Sequence, residues 1–122
     1  MSTHVLALRG AITLEADERE HLLGRVERLL REMIDRNGVS HDDIISILFT
    51  ATNDVHSVFP AVAARQIGLG DVPLMCAQEL TIEGGMPLCV RVLMHLTTER
   101  ERSELRHVYL EQARTLRDDL PE

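Results

Sequence analysis

The chain has 122 residues, 44% of them apolar and 27% charged, with a formal net charge of −7. That length holds one domain with one core, spanning residues 1–122, and the balance of residue types excludes a disordered polar chain. The acidic balance disfavours nucleic acid and anionic membranes as partners, and no apolar run approaches the roughly 20 residues that span a bilayer. The first residues lack the basic region and long apolar stretch of a signal peptide, so a soluble, cytoplasmic protein is expected.

His4 to Arg9 reads as a first strand ending at Gly10. From Asp17 to Arg36 the apolar residues Leu22, Leu23, Val26, Leu29, Leu30, Met33 and Ile34 recur at helical spacing, and Asn37-Gly38 supplies a stop. Ser40 to Asp43 reads as a short connection or a helical turn. Ile44 to Thr50 is a β-branched run suited to a buried strand. Pro60 to Ile67 fits a short helix closed by Gly68. Asp71 to Met75 reads as extended, Gly84-Gly85 as a turn, and Leu88 to Leu96 as a long apolar strand. Tyr109 to Leu116 suits helix or strand, and strand is the expectation adopted. The elements sum to an α+β domain with one long amphipathic helix on a mixed sheet. One helix leaves the second face of such a sheet uncovered, which points to an oligomer.

All 13 basic residues are arginine. With no lysine, Schiff-base chemistry and a P-loop lysine are excluded. Cys76 and Cys89 lack the Cys-x-x-Cys spacing of a zinc site and the six histidines are scattered, so reduced thiols and no metal are expected. Base composition or adaptation to heat accounts for most of the arginines; those in apolar segments call for more. Arg91 lies within Cys-Val-Arg-Val-Leu-Met, where period-two alternation puts Cys89, Arg91 and Leu93 on one face and Val90, Val92 and Met94 on the other. A guanidinium in mid-strand must meet water, a carboxylate or a ligand, because an unpaired buried charge costs several kcal/mol, order of magnitude. Solvent at a sheet edge, a pair with Glu79 or Glu83, and an anionic ligand all satisfy it. Arg9 ends the first strand in a similar setting. Glu79 can orient a substrate hydroxyl or neutralise an arginine. Tyr109, the only tyrosine, can donate to a carboxylate or pack in the core. Cys76 has no Cys-His-Asn arrangement around it, which disfavours covalent catalysis. Arginines, a carboxylate, a thiol and a phenol suit a small anion with two carboxylates and a hydroxyl.

The ordered residues Arg9-Gly10-Ala11, Ala51-Thr52, Asp54, His56, Phe59-Pro60-Ala61, Arg65, Val72-Pro73, Cys76, Gln78-Glu79, Gly84-Gly85, Cys89-Val90-Arg91-Val92 and Arg106-His107-Val108-Tyr109-Leu110 carry a resemblance. Over essentially the full chain the sequence resembles the monofunctional AroH-type chorismate mutases, and not the all-helical ones. The resemblance implies a trimeric pseudo-barrel: a homotrimer with a mixed sheet in each subunit and active sites between neighbours. It implies conversion of chorismate to prephenate, a Claisen rearrangement in phenylalanine and tyrosine biosynthesis, without cofactor. By that resemblance Arg91 donates to the ether oxygen and Arg9 holds a carboxylate. Glu79 and Cys76 contact the ring hydroxyl region, and Tyr109 helps hold the enolpyruvyl carboxylate. Phe59, Ala61, Leu74, Met75 and Leu116 wall the pocket, with Arg65 and Arg117 contributing at its edge to anion capture or lid closure. The chain departs from the pattern at Val62, where relatives tend to carry a basic residue. The competing readings are a non-catalytic trimer that binds a small carboxylate, and a trimeric imine or enamine hydrolase with an interfacial arginine.

Overall fold

The computed structural model describes residues 3–117, with the side chain of Arg117 outside the described set. β1 (His4–Thr13) leads into α1 (Arg19–Asn37), followed by β2 (Ile44–Ala51), α2 (Ala61–Gln66), β3 (Leu74–Gln78), β4 (Cys89–Thr98) and β5 (Val108–Leu110). The strands form a mixed sheet in the order β3-β2-β4-β1-β5. β4 pairs antiparallel with β1 and β2, while β3 and β5 add in parallel at the two edges.

α1 forms where the periodicity places it, and both ends are capped. Glu18 accepts the backbone N–H groups of Glu20 and His21 at 3.2 and 2.8 Å, satisfying two donors of the first turn. Gly38, at φ +59°, ends the helix in the left-handed region that glycine enters without a side-chain clash. Leu22, Leu23, Val26, Leu29, Leu30 and Met33 are buried against the sheet, each worth about 1.5–3 kcal/mol over its exposed state. On the outer face Arg31 pairs with Glu27 and Arg28 with Glu32, one turn apart. Arginines of this kind answer to surface charge and not to a ligand.

Both helices lie on one side of the sheet. Leu8, Ile12, Ile47, Phe49, Val90, Val92, Met94 and Leu96 point toward them and form the main core together with Ala61, Ala63 and Ala64 of α2. Alternation sends Arg9 and Ala11 of β1, Arg91 and Leu93 of β4, Leu48 and Thr50 of β2, and Tyr109 of β5 to the opposite face. There a smaller cluster of Ala11, Cys89, Tyr109 and Ala113, joined by Met86 and Leu116, covers one end. Much of the rest is open: Met75, on this face, is 64% exposed.

Three elements differ from the sequence reading. β1 runs through Gly10 to Thr13, because its pairing with β4 continues to Cys89, and Gly10 sits beneath Met33 and Leu29, whose side chains an added Cβ would displace. Asp71 to Met75 is extended only from Leu74, and the strand continues to Gln78 along β2. After the three residues of β5, Tyr109 to Leu116 is not a strand, because Glu111, at φ +56°, turns the chain into a 3-10 segment, Glu111–Arg117. Among the described residues no helix is long and apolar enough to cross a membrane, and no cluster of His, Cys, Asp or Glu is arranged to hold a metal ion.

Candidate active site

Arg91 stands on the central strand, so solvent at a sheet edge is not its partner. Register puts Thr50, Arg91, Ala11 and Tyr109 in one row across four strands of the open face. The small side chain of Ala11 separates the guanidinium from the phenol. Glu79, just beyond β3, comes back onto the same face: its backbone N–H donates to the Ala51 carbonyl at 2.9 Å. One carboxylate oxygen of Glu79 accepts from the Thr50 hydroxyl at 3.0 Å and lies 3.4 Å from Nε of Arg91. The other accepts the N–H of Leu80 at 3.3 Å. Glu79 therefore holds the Nε edge of Arg91 and leaves its terminal Nη groups as donors.

Arg9, Thr50, Arg91 and Tyr109 line a cavity of about 260 Å³ on this face. The Arg91 side chain is 44% exposed and Arg9 is also exposed, so both guanidiniums are within reach of a bound anion. The backbone at Arg9 is fixed from the side, its N–H donating to Nδ1 of His107 at 2.9 Å. Cys89 lies one step along β4, buried beneath the Tyr109 cluster. Burial raises its thiol pKa, with Arg91 opposing, so at neutral pH it remains an inert thiol.

The remaining expected residues fall elsewhere. Cys76 and Leu74 point toward the helices, packed at the edge of the main core. Cys76 and Phe59 line a second cavity of about 550 Å³, together with Arg19, Val62 and Gln78. Phe59 itself is 69% exposed. Ala61 starts α2 and is buried in the core, while Arg65 lies on the outer side of that helix. Leu116 packs with Tyr109 on the open face. The Arg117 side chain lies outside the described residues. The expected set is thus divided: Arg9, Glu79, Arg91, Tyr109, Met75 and Leu116 are on the open face, and Phe59, Leu74 and Cys76 are on the helix side. Thr50 and His107 escaped the sequence reading as contributors, because only strand register shows which side chains they meet.

The family model for chorismate mutase type I matches residues 5–120. The chain belongs to this family. As a type I chorismate mutase it is an isomerase. It is 40% identical over 117 residues to chorismate mutase AroH of Bacillus subtilis, covering 95% of this chain and 92% of the relative. To chorismate mutase AroH of Thermus thermophilus it is 43% identical over 117 residues, covering 95% and 96%. A solved chorismate mutase from Clostridium thermocellum superposes with a TM-score of 0.89 at 40% identity, covering 91% of this chain and 99% of that one.

Proposed function

We propose that the chain rearranges chorismate to prephenate in aromatic amino-acid biosynthesis, with Arg91 as the group that meets charge developing on the ether oxygen. The observation that carries this reading is the Arg91–Glu79–Thr50 arrangement beside the 260 Å³ cavity, with Arg9 and Tyr109 on its rim. In the reaction a C–O bond breaks as a C–C bond forms within one molecule. No proton is transferred and no electron leaves the substrate, so neither a general base nor a cofactor is required.

The site then has two tasks. It selects the folded conformer in which the two ends meet, and it stabilises negative charge at the oxygen of the breaking bond. Acceleration of about a millionfold requires roughly 8 kcal/mol. One preorganised donor to a developing oxyanion supplies about 3–4 kcal/mol, and conformer selection is large enough to supply the rest. Glu79 keeps the guanidinium in place before substrate arrives, so little reorganisation accompanies the reaction. Arg9 and Tyr109 hold carboxylate, and Cys76 and Phe59 belong to the wall opposite.

The division of the site between two sides of one sheet supports a site shared between copies. Within one chain the sheet itself separates Arg91 from Cys76, whereas an open face docked against a neighbour's helix-side pocket unites them. A homotrimer, working in the cytoplasm with the whole chain as one domain, fits this division and the uncovered open face. The test is direct. Purified protein is expected to consume chorismate, read as loss of its absorbance, and Arg91→Ala is expected to lower kcat by about 10²–10³-fold, more than it raises KM. No turnover by the unaltered protein, or a change in KM alone, contradicts the reading.

A further inference from the structure

Among the described residues at the 260 Å³ cavity, Arg9 and Arg91 less Glu79 leave one net positive charge, whereas chorismate carries two carboxylates. A second carboxylate enclosed without a cation would carry a large desolvation cost. Among the described residues that line the 550 Å³ pocket, the only permanent cation is Arg19. It shares that pocket with Phe59, Cys76 and Val62. Arg65, on the outer side of α2, is not among the lining residues.

Nothing local accounts for an arginine at this position. It opens α1, where a positive charge opposes the helix dipole. Its ion pair is with the adjacent Glu20 at 3.7 Å, and both side chains are largely in solvent, 54% and 81% exposed. An exposed pair of that length adds little to stability. The side chain is therefore available to a ligand, and its guanidinium has the fork geometry that grips a carboxylate with two parallel hydrogen bonds.

We infer that Arg19 is a further substrate-binding residue, which pairs with the substrate carboxylate left uncompensated by the Arg9–Arg91 face. The inference rests on the shared-site chorismate mutase reading above and adds the pocket's own cation to it. Arg19 binds the carboxylate equally in ground and transition states, so its contribution appears in KM and not in kcat.

Steady-state kinetics of the full chain test this. Arg19→Gln is expected to raise KM for chorismate about tenfold, the scale of one charge-assisted contact, with kcat within about twofold. Arg31→Gln removes the same charge from a pair on the outer face of α1 and is expected to leave both constants unchanged. Val62→Lys, at a position lining the same pocket, is expected to recover much of the lost affinity in the Arg19→Gln background. An active, folded Arg19→Gln enzyme with unchanged KM overturns the inference alone, as does a KM effect equalled by Arg31→Gln. Absence of chorismate turnover in the unaltered protein overturns the underlying reading as well.

Discussion

Asp17 ties the loop that carries Phe59 to the entrance of α1. Its carboxylate accepts the backbone N–H groups of His56 and Ser57 at 2.8 and 3.0 Å. The Ser57 side chain, then these backbone donors, hold its pKa below the ordinary value of 3.8. A depressed folded pKa means that the tie is fully present above that value and is lost as pH falls through the folded pKa. Protection of the His56 and Ser57 amides, read as exchange relative to the intrinsic rate at each pH, is therefore expected to fall as pH drops through the folded pKa, below 3.8. In Asp17→Asn, exchange there is expected to be fast already at neutral pH and to lack that acid-dependent step. Equal acid sensitivity in both proteins would remove Asp17 from the role. At this scale the sequence was unevenly legible. Arg91 stood out because a charge amid apolar neighbours needs a partner, and Glu79 is that partner in the chain. Asp17, Thr50 and His107 gave no comparable signal, since acids, hydroxyls and histidines are unremarkable until their distant partners are known.

Among the elements, α1 is tied to the segment leading into β5 by a buried polar side chain. Asn37 donates to the carbonyls of Met33 and Arg106 at 2.8 and 2.9 Å and accepts the Arg106 N–H at 2.7 Å. It fixes the segment that delivers His107 to β1 and Tyr109 to the cavity. Asn37→Ala leaves buried backbone groups without partners and is expected to lower stability by about 2–3 kcal/mol in chemical denaturation. A loss below about 0.5 kcal/mol, the range of ordinary surface changes, would show that the tie is dispensable. The sequence reading took Asn37-Gly38 as a stop signal. The glycine fulfils that role, whereas the asparagine mainly bridges two elements. Regular elements with long apolar periodicity, α1, β2 and β4, were read almost to their ends. β5 and the 3-10 segment after it were not, because one residue at positive φ, Glu111, decides where extended chain stops. Pattern does not encode that turn for a non-glycine residue.

At the scale of the molecule, alternation along each strand sorts the proposed site residues onto the two sides of one sheet. Sequence proximity suggests that Cys76 and Glu79 are neighbours; the pleat puts them on opposite sides of the sheet. The sequence reading inferred association from an uncovered sheet face, and that face carries Arg9, Arg91 and Tyr109. The charge balance with Arg19 points the same way. If each site joins the open face of one copy to the pocket of the next, two differently damaged copies must complement each other. Arg91→Ala disables the open face, and Phe59→Asp sets a negative charge against the dianion at an exposed position of the pocket. Each variant alone is expected to be nearly inactive toward chorismate. After subunit exchange at equal amounts, random assortment in a closed ring leaves about a quarter of the sites with both halves intact. The account is therefore tested most directly by the activity of that mixture: recovery to about a quarter of the unaltered protein's rate is the expected result, and activity no greater than that of the two separate variants, despite demonstrated exchange, would contradict a site shared between copies.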